Sequence, residues 1–389
     1  MFKESLAWLK TEGLYRRLQR VDSPQGSRIR IGGRDLICLA SNDYLGLAGH
    51  PVLKAAASEA IAEWGTGSGS SRLLSGTSRL HAKLEEEIAD FLGCEAVLLF
   101  NSGYAANTGV LSALTREGGR IFSDALNHAS IIDGCRLSRS GIVVYKHIHI
   151  KELENKLKAN TCGGARWIAT ESVFSMDGDI APLPAIEKLA GRYDAHIYLD
   201  EAHATGWLGK KGRGAVDYFD LESGITLRMG TLGKAFGSFG AYVAGSRDLI
   251  KMLINRARPL IYSTALPPAV LAASSAALAL VQGEEGEKLR ARLRRNIEFL
   301  AEGLESIGFS SVSRETPIFP VILGPAEKAV RVAGDLFDRG IFAPAIRPPT
   351  VPEGRSRLRF SVMATHTPEE MAWVVSSLQK ALDRVGRGA

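Results

Sequence analysis

Between Glu95 and Ala244 the chain alternates short, almost unbroken apolar runs with longer amphipathic segments. The runs are Ala96–Phe100, Arg120–Ser123, Ile142–Lys146, Trp167–Glu171, His196–Asp200, Thr226–Gly230 and Gly240–Ala244. Several of the segments between them, such as Pro184–Tyr193, repeat apolar residues at helical spacing. A strand that does not alternate apolar with polar is buried on both faces. The pattern therefore predicts an α/β fold whose large domain carries a mainly parallel seven-stranded sheet with helices on both sides. Ligands of such sheets bind at the carboxyl ends of the strands, and Asn101, Asp200 and Thr231 fall at such ends.

After about Gly283 the pattern changes. A long charged helix (Glu284–Ile307) is followed by short strands near Ile318–Leu323, Ile341–Ala345 and Arg357–Ser361, then a closing helix Pro368–Val385. This reads as a smaller C-terminal α+β domain, with an N-terminal helix and Leu36–Leu39 packing on it. The expected division is an N-terminal segment 1–45, a large domain 46–283 and a small domain 284–389. The N-terminus, Met1-Phe2-Lys3-Glu4-Ser5-Leu6, reads as an amphipathic helix and not as a signal peptide. Ala265–Val281 contains Pro267-Pro268, is rich in Ala and Ser, and is short for a membrane span, so a buried helix is expected.

Composition narrows the class. A chain of 389 residues with 45% hydrophobic and 23% charged residues has the make-up of a globular enzyme with a large and a smaller domain. The net charge of +6 is spread along the chain; the densest basic run, Arg290–Arg295, has helical spacing and reads as a solvated face. Neither a nucleic-acid nor a membrane partner is implied, although attraction to anionic substrates such as coenzyme A esters is compatible with the charge. Cys38, Cys94, Cys135 and Cys162 form no CxxC pair, which removes zinc-ribbon and thioredoxin readings and suits the cytoplasm. His147 and His149 have strand spacing, but no acidic cluster accompanies them, so no metal site is expected.

The chemistry concentrates around Lys234, in the small-residue stretch Met229–Gly240, about thirty residues after Asp200-Glu201-Ala202-His203. A lysine between glycines is ordinarily a solvated loop residue. This loop is also not a P-loop: Gly230 and Gly233 are too close, and Ala235 follows the lysine where Ser or Thr would bind magnesium. Pyridoxal phosphate (PLP), by contrast, requires a lysine for its aldehyde and an acid for its pyridinium nitrogen. Asp200 closes the apolar run His196–Leu199, and a carboxylate there needs a partner. Thr231 lies three residues before Lys234, with a hydroxyl able to reach a phosphate.

Other segments carry chemistry of the same kind. Asn101–Asn107 follows a strand and opens a helix, so free N–H groups near Ser102, Gly103 and Tyr104 are either a phosphate site or a plain capping turn. His128, just before another helix, is either structural or able to stack on a cofactor ring. His203 is placed to contact a phenolic oxygen, and Ser175, in Val173–Gly178, offers a hydroxyl. The run Gly65–Gly76 lacks the full GxGxxG form and reads as a flexible loop near an active site.

Taken in order, Ser41–Leu47, the turn at Ser102, Asn127–Ser130, Val173–Gly178, Asp200–His203 and Gly230–Lys234 make a chain that resembles the α-oxoamine synthase family of fold-type-I PLP enzymes over nearly its whole length. The stretch Ala345–Pro352, followed by Arg357-Leu358-Arg359, is most similar to the member that condenses L-alanine with a pimeloyl thioester. The donor would be pimeloyl-CoA or pimeloyl-acyl carrier protein. The resemblance implies that Lys234 binds the aldehyde and takes the Cα proton, and that Asp200 pairs with the ring nitrogen. It puts His203 and Ser175 at the phenolic oxygen and His128 over the ring, facing the substrate. Ser102, Gly103, Tyr104 and Thr231 take the phosphate side. Arg359 takes the amino-acid carboxylate, with Asn42, Arg16, Arg347 and Thr350 as further substrate contacts. Ser263 and Thr264 reach the phosphate of a second subunit, which implies a homodimer with shared sites. The alternatives are a sister enzyme using glycine and a shorter acyl donor, or a non-catalytic PLP-binding subunit, which would usually lack the lysine.

Overall fold

The structure, a computed structural model, describes residues 2–12, 14–115, 117–221, 224–309 and 313–386. The chain divides into two compact units: Leu47–Ser175 with Ile180–Arg290, and Met1–Gly46 with Met176–Asp179 and Ala291–Ala389. In the second of these, β1 (Arg28–Ile31) and β2 (Arg34–Cys38) form an antiparallel hairpin whose Ile29, Ile31, Leu36 and Cys38 share a buried cluster.

The first unit holds seven strands, β3 (Ala96–Phe100), β4 (Arg120–Asp124), β5 (Gly141–Tyr145), β6 (Arg166–Glu171), β7 (Ala195–Asp200), β8 (Leu227–Thr231) and β9 (Ala241–Gly245). They form one sheet in the order β3-β9-β8-β7-β6-β4-β5. Only β9 runs antiparallel to its neighbours. Each expected strand is present to within one residue at either end. Because β4, β6, β7 and β8 are parallel, Asp124, Glu171, Asp200 and Thr231 all lie along one edge of the sheet. Strand β8 needs its glycine: a Cβ on Gly230 would lie 2.2 Å from the Tyr242 hydroxyl.

Helix Gly103–Leu114, capped by Ser102, packs on helix Ala129–Leu137. Gly134 makes the approach possible, since a Cβ there would lie 2.6 Å from the Asn107 carbonyl oxygen. Helix Pro268–Gln282 buries Leu271, Ser274, Ala277, Leu278 and Val281, as the apolar run predicts. No helix among the described residues is long and apolar enough to cross a membrane.

Two local expectations are corrected. Arg290 is not on the solvated face of its helix: it is buried and donates to the Val281 carbonyl at 2.6 Å, while Arg292, Arg294 and Arg295 are exposed. His147 and His149 are not in a strand, because β5 ends at Tyr145 and Ile148 adopts a positive φ of 47°. His147 pairs with Asp124, and His149 caps helix Ile150–Ala159. No group of three or more potential metal ligands is present among the described residues.

In the second unit, β10 (Ile318–Gly324), β13 (Ser356–Ser361) and β12 (Ala345–Ile346) form an antiparallel sheet in the order β10-β13-β12. The short β11 (Ile341–Phe342) instead joins β2 in parallel. The single strand expected over Ile341–Ala345 is thus two short strands serving different sheets. The closing helix is Pro368–Gly386.

Candidate active site

Asp200 is the last residue of β7 and is 5% exposed. Its Oδ1 accepts from the Ala202 N–H at 2.9 Å and its Oδ2 from Asn107 Nδ2 at 2.8 Å. Both donors are uncharged, so they orient the carboxylate without neutralising it. Asn107 is itself held, because the Tyr198 hydroxyl donates to its Oδ1. Burial and the neighbouring Asp200 both push the Tyr198 phenol well above its ordinary range, so it stays a donor.

The same Asn107 amide donates to Ser130 Oγ at 2.8 Å, which lies 2.7 Å from His128 Nδ1. The Ser130 N–H also points at Nδ1, at 3.2 Å. With the serine oxygen already accepting from Asn107, its proton is free for the imidazole. Nδ1 is thereby an acceptor, and the ring proton is assigned to Nε2. Burial lowers the His128 pKa, and Lys234 acts in the same sense against the opposing pull of Asp200.

Lys234 follows β8, and its Nζ lies 2.8 Å from Nε2 of the buried His203. The loop around Lys234 is shaped by Thr231, whose hydroxyl donates to the Gly240 carbonyl at 2.9 Å and accepts from the Gly233 N–H at 3.2 Å. The hydroxyl proton is therefore spent inside the loop.

Ser102 caps helix Gly103–Leu114 by accepting from the Ala105 N–H, which leaves the N–H groups of Gly103 and Tyr104 at the helix start without intrahelical acceptors. Tyr104 turns its phenol to Asp133 and keeps half its surface exposed. Thr264 belongs to the same neighbourhood: its carbonyl accepts from Asn101 Nδ2 at 2.8 Å, and it bridges to Ser71. Ser70 accepts the Ala265 N–H at 2.9 Å, so part of the Gly65–Gly76 loop is tied to this segment. Ser263 lies beside Thr264 on the same turn. Ser175 lies in the loop that follows β6.

In the other unit, Arg359 stands on β13, 8% exposed. Its Nη1 donates to Ser361 Oγ at 2.7 Å and its Nη2 to the Tyr44 hydroxyl at 3.5 Å; that hydroxyl donates to Asn42 Oδ1 at 3.3 Å. Arg16 and Arg347 meet through reciprocal contacts, Arg16 Nη2 to the Pro348 carbonyl at 3.4 Å and Arg347 Nη2 to the Tyr15 carbonyl at 3.5 Å. Thr350 is exposed and closes the adjacent turn by donating its N–H to the Arg347 carbonyl. The structure thus groups Arg359 with Asn42, and Arg16 with Arg347 and Thr350.

A family model described as aminotransferase class I and II matches residues 34–378. The chain belongs to this family. An 8-amino-7-oxononanoate synthase from Geobacter sulfurreducens is 50% identical over 382 residues, 98% of this chain and 97% of that protein. Among solved structures, a serine palmitoyltransferase from S. paucimobilis with bound PLP and myriocin superposes with a TM-score of 0.94 at 31% identity, covering 99% of this chain and 98% of its own. The 8-amino-7-oxononanoate synthase of Francisella tularensis gives 0.78 at 32% identity, covering 90% and 98%.

The cofactor of these aminotransferase-family enzymes is PLP, and the residues here fit it. Asp200 is a buried carboxyl with uncharged donors, Lys234 is an amine at the neighbouring strand end, and a capped helix start offers N–H groups to a phosphate. Sequence reasoning assigned no role to Asn107, Tyr198, Ser130 or Glu171. A signal existed for Glu171, which closes an apolar run as Asp200 does.

Proposed function

We propose that this chain joins L-alanine to a pimeloyl thioester with loss of carbon dioxide, giving 8-amino-7-oxononanoate and a free thiol for biotin synthesis. The observation that carries this reading is the contact of Lys234 with His203 at 2.8 Å beside the strand end holding Asp200, in a chain half identical to a synthase of that name over nearly its whole length.

When bound, PLP supplies an electron sink for the pair left on the amino-acid Cα. Asp200 is the carboxylate that keeps the ring nitrogen protonated, held in place by Asn107 and the Ala202 N–H. Lys234, as a free amine, takes the Cα proton on Nζ, with His203 Nε2 2.8 Å away. His128 presents Nε2–H as a donor to the substrate carbonyl, with burial lowering its pKa. Ser175 and His203 serve the phenolic oxygen, Ser102, Gly103 and Tyr104 the phosphate side, and Thr231 joins them when its hydroxyl turns from the Gly240 carbonyl. Arg359 clamps the alanine carboxylate, because a guanidinium fork fixes orientation better than an ammonium. Fixing the carboxylate decides which Cα bond breaks. Asn42 assists Arg359, while Arg16, Arg347 and Thr350 line the acyl site.

The active unit in this reading is a homodimer, with Ser263 and Thr264 completing the partner's phosphate site. Its place is the cytoplasm, which suits four cysteines that are all free thiols. The test compares L-alanine with glycine, each with pimeloyl-CoA and with pimeloyl-acyl carrier protein, on PLP-loaded enzyme. Alanine should be preferred with at least one pimeloyl donor. Faster turnover of glycine with a short acyl-CoA would overturn the assignment in favour of a sister activity.

A further inference from the structure

We infer that Glu171 is a positioning residue that holds the His128 loop through its backbone; its bearing on catalysis rests on the function proposed above.

Glu171 ends β6 and is the register partner of Asp200 on β7. It is 2% exposed. Its Oε1 accepts the His128 N–H at 2.6 Å. A carboxyl at the end of one strand therefore takes a backbone donor from the loop that leaves the adjacent strand, β4. A backbone donor fixes a loop's path, so the position of the imidazole follows from it.

The same device recurs along the sheet edge. Asp124 at the end of β4 accepts from the Leu126 and Ile148 N–H groups and pairs with His147, while Asp200 at the end of β7 accepts from the Ala202 N–H. Three neighbouring strands each close with a buried carboxyl that organises the loop beyond it. Glu171 is the one that holds the loop carrying His128. The ionisable groups acting on it are Asp200 from β7 and Lys234 from the loop after β8. Burial, the largest influence, and Asp200 push its carboxyl up to about 8, against the opposing pull of Lys234.

The test uses Glu171→Ala and the isosteric Glu171→Gln, read by hydrogen exchange, by the bound-cofactor absorbance and by steady-state kinetics. In Glu171→Ala, amide exchange should rise in residues 126–130 with β3 still protected, in the apoprotein and in the PLP-loaded enzyme. The bound-cofactor absorbance should shift as its contacts loosen. The kcat should fall roughly 10²-fold, the usual result of a misplacement near 1 Å, with KM for alanine changed far less. Glu171→Gln keeps one acceptor oxygen and should recover part of both losses. Unchanged exchange in residues 126–130 of Glu171→Ala would overturn the inference, and so would an unchanged kcat in that variant. If Glu171→Ala shows the exchange effect yet the wild-type enzyme does not use alanine, the functional reading fails while the positioning role stands.

Discussion

Asn107 donates to Asp200 at 2.8 Å across 93 positions of sequence, and it does so with an amide that Tyr198 and Ser130 also hold. The pair links the proposed ring-nitrogen partner to the imidazole of His128. Replacing Asn107 with Ala leaves a buried carboxylate oxygen and a buried phenol each short of a partner, at a cost of about 1–3 kcal/mol for each such group. Weaker PLP binding and a lower melting temperature are expected together. Unchanged PLP affinity by equilibrium titration would show that Asn107 does not orient Asp200.

Lys234→Ala should abolish turnover without unfolding the chain. Loss of a general base typically costs ~10²–10⁴-fold, and loss of the covalent link to the cofactor adds to it. Circular dichroism should match the wild type, and the protein should still take up PLP weakly. Near-native turnover would remove Lys234 from the mechanism.

Asp200→Asn should retain bound cofactor but lose Cα proton exchange. The measurement is the rate at which deuterium from solvent appears at the Cα of alanine in the absence of a thioester. The expected result is a drop much larger than any change in PLP affinity. Equal exchange rates in variant and wild type would contradict the role assigned to the carboxylate.

Acid should weaken the fold through buried neutral histidines. His366 uses both ring nitrogens, Nδ1 accepting the Met363 N–H at 3.0 Å and Nε2 donating to the Cys38 carbonyl at 3.1 Å. Burial lowers its pKa to about 4, and burial lowers that of His81 to about 4 as well. The unfolded chain binds these protons near pH 6.5 and the folded chain only near 4. Their contribution is therefore present above about 6.5 and is lost as pH falls towards 4. Urea midpoints across that window should decline, and His366→Asn, although less stable at neutral pH, should decline less steeply. An equal slope in the variant would exclude His366 as a cause.

Shared active sites predict complementation. A Lys234→Ala chain mixed with a Ser263→Ala/Thr264→Ala chain, under conditions that exchange subunits, produces heterodimers in which one site carries both defects and the other neither. Activity should rise towards half per heterodimer, given that the hydroxyl double variant is itself impaired. A verified heterodimer with no recovery, or a monomer by light scattering at assay concentration, would contradict the shared site.

The sequence made strands β3–β9 readable because each is buried on both faces and so appears as an uninterrupted apolar run. It made Asp200 readable because an ionisable residue closing such a run has no solvent to satisfy it. Glu171 carried the same signal, yet its acceptor role depends on the backbone N–H of His128, which no residue type announces. Asn107 was hidden for another reason. It lies within a helix, and its partners come from two strand-and-loop segments that only the sheet order brings together. β11 and β12 are two residues each and too short to have a period; they exist through pairing, β11 with the distant β2 and β12 with β13.

The most direct measurement supplies PLP-loaded enzyme with L-alanine labelled with ¹³C at the carboxyl carbon and with pimeloyl-CoA or pimeloyl-acyl carrier protein. Labelled carbon dioxide and free thiol are followed together. The account predicts both, in equal amounts and only when amino acid and thioester are present together, with an unlabelled amino-keto acid remaining. Thiol release without labelled carbon dioxide, or no release of either with both donors, would contradict it.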